Sequence, residues 1–314
     1  MSQTPCSRCA PAMVGPTVPA AAAPLPAPDP VQHHDVAVPA GTFRMGDAFG
    51  EGYPADGEGP VHAVTLPAFR IDAEAVSVAR FAAFVETTGY LTEAERHGSS
   101  AVFHLAVQAA RKDVVGSFGM PWWLAVRGAD WRHPFGPLSG IDGAMDHPVV
   151  HVSHNDALAY CIWARRGLPT EAQWEYAARG GLAGQRYPWG NELTPDGTHQ
   201  ANLWQGVFPT WNSGDDGSLA TAPARSFEPN GFGLYQPAGN VWEWCADWFD
   251  PGYYAVSPAV SPPGPETGTE RVMRGGSYLC HASYCNRYRV AARTGNAPNS
   301  SCGNIGFRTV GLPG

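Results

Sequence analysis

A glycine or proline occupies about one position in five of this chain, with 37 glycines and 30 prolines among 314 residues. Glycine weakens the interiors of helices and strands, and proline removes a backbone donor, so no long regular element can run through such a sequence. The expected fold class is α/β (α+β) with low regular secondary structure: short helices and strands joined by extensive loops. A chain of this kind is held together by side-chain packing, and eleven tryptophans supply the aromatic area for a core. The length allows one large domain or two ordinary ones, and neither a repeat nor an internal boundary is visible.

Local signals place the elements. Residues 36–45 and 62–72 alternate as short strands, joined by a Gly/Asp/Pro-rich loop at 46–60. Ser77 predicts the cap of a helix that buries Phe81, Phe84 and Val85 and ends at Gly89. Residues 113–147 read as loop and 147–152 as a buried strand. Ser153 with Asp156 predicts a capped helix with Leu158, Cys161 and Ile162 inward. Thr170 with Gln173 predicts another, burying Trp174 and Ala177 and stopping at Gly180.

A net charge of −8 lacks the basic patch that nucleic acid or an anionic membrane demands. No apolar stretch is long enough to cross a membrane. Residues 1–33 read as a flexible Ala/Pro-rich extension whose prolines break the apolar core of a secretory signal, leaving 34–314 as the folded domain. Seven cysteines, an odd number without dense spacing, point to a reducing cytoplasm rather than export.

The densest chemistry lies in Gly275-Gly276-Ser277-Tyr278-Leu279-Cys280-His281-Ala282-Ser283-Tyr284-Cys285-Asn286-Arg287-Tyr288-Arg289. Five residues span about 500° of rotation in a helix and end on opposite faces of a strand, so neither element brings the two sulfurs together. A bent segment is required, and the glycine pair supplies the freedom for it. A convergent thiol pair can be a disulfide, half of a zinc site or a two-coordinate soft-metal site. His281 alone completes no zinc site, and the Cys6-x2-Cys9 pair lies in the extension.

The wider run closely resembles the active-site segment of the formylglycine-generating enzymes of the sulfatase-modifying-factor family, which reads Gly-Gly-Ser-aromatic-x-Cys-His-x-Ser-Tyr-Cys-x-Arg-Tyr-Arg. The helix signature from Pro169 to Gly181, the run Gly239-Asn240-Val241-Trp242-Glu243-Trp244 and the run Asn304-Ile305-Gly306-Phe307-Arg308 are similar to the scaffold motifs of that family. The resemblance covers about Val36 to Arg308 and implies a single domain distantly like a C-type lectin.

It further implies an oxidase acting on the cysteine of a Cys-x-Pro-x-Arg stretch in a sulfatase, giving Cα-formylglycine with O2 and a thiol reductant. Cys280 and Cys285 would hold copper(I). Ser277 and Tyr284 would donate hydrogen bonds near the bound oxygen or the substrate sulfur, Trp242 would bound the oxygen pocket, and Asn304 would contact substrate backbone. One structural calcium would take Asn202, the Leu203 carbonyl, Asp216 and the Ser218 carbonyl. A second would take Gln236, where the family has asparagine, the Gly239 and Val241 carbonyls, and Glu243.

Read without the resemblance, residues 212–217 form an Asx turn, Glu243 is a buried acid, and Arg287, Arg289 and Arg293 hold carboxylates. The chain departs from the family at His154, where tryptophan is usual, and at Gly167. Cys161 matches one half of a eukaryotic bridge whose other half is Thr309 here, and a second bridge falls on Ala178 and Val290. Neither bridge can form, as in a cytoplasmic bacterial member, and Cys245 and Cys302 read as buried thiols. The expected state is a monomer. The alternative is a non-catalytic binding module in which Cys280 and Cys285 form a structural disulfide. Iron-dependent sulfoxide synthases of the same superfamily need a separate metal domain, and no His-x3-His is present.

Overall fold

A computed structural model describes residues 10–12 and 33–312. The strands are β1 (Asp35–Val38), β2 (Gly41–Met45), β3 (His62–Leu66), β4 (Phe69–Asp72), β5 (Ser99–Phe103), β6 (Val114–Ser117), β7 (Trp123–Arg127), β8 (Arg166–Gly167), β9 (Gly206–Val207), β10 (Trp211–Asn212), β11 (Trp242–Trp248), β12 (Arg271–Arg274), β13 (Arg293–Asn296), β14 (Ile305–Gly306) and β15 (Val310–Gly311). The helices are α1 (Val78–Thr88), α2 (Glu93–His97), α3 (His154–Ala164) and α4 (Glu171–Arg179). No described α-helix exceeds 11 residues, as the glycine and proline punctuation requires.

Two four-stranded sheets, ordered β1-β4-β15-β8 and β13-β12-β11-β14, form the frame. A three-stranded sheet β5-β7-β6 and the hairpins β2-β3 and β9-β10 complete it. The largest apolar cluster runs from α1 and α3 through Trp123, Trp131, Trp242 and Trp244 to Cys280 and Cys285. Among the described residues no helix is long and apolar enough to cross a membrane.

Three helices start where their caps predict, and two stop where their glycines predict. Ser77, Ser153 and Thr170 accept from the backbone three residues on, and Gly89 and Gly180 close α1 and α4 in the left-handed conformation. Other expectations are corrected. In α3 the buried face is Ala157, Tyr160, Cys161 and Trp163, whereas Leu158 is 37% and Ile162 51% exposed. Tyr160 and Trp163 pack on Phe81 and Phe84 of α1, and that contact turns 158 and 162 outward together. Residues 147–152 are mostly buried but form no strand, because His151 has a φ of 58° and breaks the extended run. The region 113–147 contains β6 and β7, which pair with each other, β7 also pairing with β5, without any local signal announcing them.

Parts of the extension are packed. Ala10 is 2% exposed and belongs to the large cluster, and His33 Nδ1 lies 2.9 Å from Asp72. Cys6, Cys9 and the rest of 1–32 lie outside the described residues.

Candidate active site

The cysteine run lies between β12 and β13, whose antiparallel register pairs Arg274 with Arg293. The loop therefore leaves and re-enters the sheet at one rung. Both arginines are buried and both pair with Glu171 of α4, at 2.9 Å from Arg274 and 2.7 Å from Arg293. Arg274 also pairs with Glu175, which Arg179 holds at 2.6 Å. Gly275 and Gly276 turn the chain at φ 92° and 71°. A side chain on Gly276 would meet the Arg287 carbonyl at 2.8 Å, so the turn needs glycine for space as well as for conformation.

Beyond the turn the backbone is irregular, as the five-residue spacing demands. Cys280 N–H donates to the Ser277 carbonyl at 2.8 Å, and the Cys285 and Tyr284 N–H groups donate to the His281 carbonyl at 2.7 and 2.9 Å. These turns bring the Cys280 and Cys285 sulfurs to 3.1 Å, with both side chains buried. That separation is contact without a bond, since an S–S bond is about 2.05 Å. The structural disulfide of the binding-module alternative is therefore not formed. Cys285 does carry a disulfide, and Cys161, Cys245 and Cys302 are thiols.

A chain of buried hydrogen bonds reaches the pair. Cys302 Sγ donates to Asn304 Oδ1 at 2.8 Å, Asn304 Nδ2 donates to Ser277 Oγ at 2.9 Å, and Ser277 N–H points at Cys280 Sγ at 3.4 Å. Burial pushes the Cys302 thiol and the Tyr278 hydroxyl well up, so both stay protonated. Trp242 is fully buried and donates its backbone N–H to the Asn304 carbonyl at 2.9 Å. On the open side, Tyr284 stacks on Phe208 at 4.4 Å and meets the edge of Trp122 at 5.1 Å. A cavity of about 210 Å³ opens on Cys280 between Leu203, Trp204, His281 and Tyr288.

The arginines after the pair hold carboxylates, as expected. Arg287 forks onto Asp56, and Arg289 grips Glu58 with two contacts of 2.7 Å. Burial raises both acids despite these cations. Arg287 Nη1 is also 4.0 Å from Cys285 Sγ and sets positive charge beside it. Sequence reasoning missed Trp122, Phe208, Asp56 and Glu58 as parts of the site. The acids had a signal, since they lie in a loop whose charge complements that of 287–289.

Of the first set of calcium donors, Leu203, Asp216 and Ser218 are linked by hydrogen bonds. Asp216 accepts from Leu203 N–H at 2.8 Å and from Ser218 N–H at 3.0 Å, whereas the Asn202 side chain donates elsewhere, to the Ala220 carbonyl at 2.8 Å and to Asn240 Oδ1 at 3.2 Å. Gln205 Nε2 donates to both the Leu203 carbonyl and Asp216, occupying the place where positive charge fits. Asn212 and Asp216 also make the expected Asx turns. In the second set, Gln236 Oε1 is buried without a partner among the described residues, which suits a cation. Glu243 does not fit: Arg308 takes its two oxygens at 2.6 and 2.7 Å, and Trp174 Nε1 donates at 2.7 Å. The described residues contain no cluster of three His, Cys, Asp or Glu side chains placed for a metal.

The departures are absorbed by packing. His154 is buried edge-on to Trp244 with Nε2 3.2 Å from the Cys245 carbonyl, and burial pushes it down to about 3. Gly167 pairs with Val310 in β8-β15. Ala178 and Val290 share a small apolar cluster.

Residues 22–311 match the sulfatase-modifying factor enzyme 1-like domain. The chain is 64% identical to the "Formylglycine-generating enzyme" of Streptomyces coelicolor over 95% of each protein. It is 51% identical to the protein of that name from Bos taurus, over 87% of this chain and 73% of that one. It is also 45% identical, over 87% and 86%, to "Inactive C-alpha-formylglycine-generating enzyme 2" of Bos taurus, so likeness of this order accompanies both kinds of name. Among solved structures, PvdO from Pseudomonas aeruginosa superposes with a TM-score of 0.64 at 26% identity, over 88% of this chain and 93% of that one. A fold of short elements framing an irregular cysteine loop, matched over nearly its whole length, places this chain in the sulfatase-modifying factor enzyme 1-like family.

Proposed function

We propose that this protein oxidises the cysteine of a Cys-x-Pro-x-Arg stretch in a sulfatase to Cα-formylglycine. The observation that carries the reading is the buried pair of sulfurs, in contact but not bonded to each other, on a loop fixed by glycine and by arginine–carboxylate pairs. The reaction balances as –CH2SH + O2 + 2 H+ + 2 e− giving –CHO + H2S + H2O, with the two electrons coming from two molecules of an exogenous thiol.

Cys280 and, once a thiol has reduced its disulfide, Cys285 would hold copper(I), a soft ion suited to thiolate donors; bound there, it would supply the one-electron chemistry that dioxygen requires. The protein's own groups set the stage. Ser277 and Asn304 fix the Cys280 side of the pair through their mutual hydrogen bond, and Asn304, fully buried here, would reach the substrate backbone only by giving up that bond. Tyr284 stands at the open side, where its hydroxyl can donate to the incoming sulfur or to oxygen. Trp242 and the surrounding aromatic side chains exclude water. Calcium would brace the loop of Asn202, Leu203, Asp216 and Ser218 beside the cavity. At the second set only Gln236 and the carbonyls of Gly239 and Val241 remain as donors.

The test is aerobic incubation of the copper(I)-loaded protein with a peptide containing Cys-Thr-Pro-Ser-Arg and a thiol, following peptide mass. The expected product has lost the mass difference between –CH2SH and –CHO, and the loss is absent with Cys280→Ala or Cys285→Ala. An unchanged peptide beside a protein that binds copper stoichiometrically would reject the reading.

A further inference from the structure

The buried hydrogen bonds that run from Cys302 through Asn304 to Ser277 have a direction, and the far end sets it. Cys302 is fully buried, and the backbone around it is pinned without help from its thiol. The Cys302 carbonyl accepts from His151 N–H at 3.0 Å, and Gly303 N–H donates to the Ala101 carbonyl at 3.0 Å. The Tyr278 hydroxyl donates to the Gly303 carbonyl at 3.2 Å, and the Asn304 carbonyl takes the Trp242 N–H at 2.9 Å. Main-chain contacts therefore hold the segment, and the thiol is left to act on the Asn304 side chain, which it meets at 2.8 Å.

A side-chain amide accepts at one end and donates at the other, and a half turn exchanges the two. Sulfur is a weak acceptor, whereas S–H can donate. Burial pushes the Cys302 thiol well up, so its hydrogen stays on sulfur. Asn304 accordingly presents Oδ1 to Cys302 and sends Nδ2 to Ser277 Oγ at 2.9 Å. Ser277 Oγ also accepts from Leu279 N–H at 3.3 Å. A hydroxyl has two lone pairs and one hydrogen. With both lone pairs taken, Ser277 has only its O–H to offer a third group. A turned-over amide would do the reverse: Oδ1 would face Ser277, take that hydrogen and leave the residue able only to accept.

Ser277 lies against the cysteine pair, since its N–H meets Cys280 Sγ at 3.4 Å. A substrate sulfur arriving there as thiolate carries negative charge, which a fixed donor stabilises and an acceptor repels. Resting on the cysteine-oxidase reading, we propose that Cys302 is a positioning residue whose thiol fixes which way the Asn304 amide faces and so keeps Ser277 a donor at the pair. Cys302 itself touches no reacting atom.

Three variants separate this role from packing. Cys302→Ala removes the donor, Cys302→Ser keeps one, and Ser277→Ala removes the end of the chain. With the Cys-Thr-Pro-Ser-Arg peptide, Cys302→Ala should lower kcat/KM about 10-fold, while Cys302→Ser should stay within about 3-fold of the parent. In the Ser277→Ala background, Cys302→Ala should add less than about 2-fold, because the thiol acts through Ser277. A second readout needs no turnover. In protein carrying isotope-labelled asparagine, the Asn304 side-chain NH2 signals are identified by their loss in Asn304→Asp. They should be protected from solvent exchange in the parent and in Cys302→Ser, and should exchange about 10-fold faster or more in Cys302→Ala. Parent-like kcat/KM in Cys302→Ala, an equal loss in Cys302→Ser, or one exchange rate shared by all three proteins overturns the inference. A parent that never oxidises the peptide rejects the oxidase reading alone, and the exchange rates still decide whether Cys302 directs the amide.

Discussion

Cys302, Asn304 and Ser277 show how single residues far apart in sequence become one device. Removing the middle of this chain leaves the Cys302 thiol buried without its acceptor, which costs about 1–3 kcal/mol, and Ser277 Oγ with only the Leu279 N–H at 3.3 Å. Asn304→Ala is therefore expected to lower the denaturation midpoint measurably and to reduce kcat/KM for the peptide by more than stability alone explains. Because Ser277→Ala breaks the same contact, the double variant should lose less than the sum of the two single ones. A thermodynamic cycle by urea titration checks this, and strict additivity would show that the contact couples nothing. At this scale the sequence was highly legible: the cysteine spacing demanded a bend and the glycine pair announced it. The partners were not, since nothing local in the loop at 46–60 says that Asp56 meets Arg287.

The β12–β13 base and α4 act as one element through Glu171, which accepts from Arg274, Arg293 and the Tyr254 hydroxyl. Glu171→Gln leaves two buried guanidinium groups short of a counter-charge, and breaking a buried pair in this way costs about 3–5 kcal/mol. The loss should appear as a lower urea midpoint, and loop order should fall with it; a midpoint unchanged from the parent would remove Glu171 from this role. Gly276→Ala tests the same base by strain. It forces an L side chain to φ 71° and against the Arg287 carbonyl, and should cost about 1–2 kcal/mol or more. Urea titration compares it with Gly140→Ala, which adds a side chain at a position with no positive φ and open space around it. Caps made three helices readable because a hydroxyl and the residue three positions on are a local signal. The strands β6 and β7 were unreadable because the reason for them is a ladder built on the distant β5, which pairs with β7, which in turn pairs with β6.

Across the whole molecule, buried titrating groups oppose one another. Burial pushes His151 down to about 4 and His154 to about 3, so their neutral forms favour the fold above pH 6.5 and that contribution is lost as pH falls toward 4. Burial pushes Asp156 and Asp247 up to about 7, which favours the fold below about pH 4 and is lost as pH rises to 7. The two pairs offset between about pH 4 and 6.5. His154→Phe should be less stable at neutral pH, yet its stability should fall less than the parent's on acidification, by about 1.4 kcal/mol per pH unit at most. Urea titrations at pH 5 and 7 read that difference, and parallel slopes would show that His154 does not titrate with folding. By itself the sequence determined the short-element fold class, the helix caps and the bent cysteine loop, because each is written in neighbouring residues. Only the tertiary structure decided which acids face the arginines, that Glu243 belongs to Arg308, which face of α3 is buried, and that Ala10 and Pro11 pack against the core. Those outcomes depend on competition between distant groups for a limited buried volume, and no local pattern records who wins.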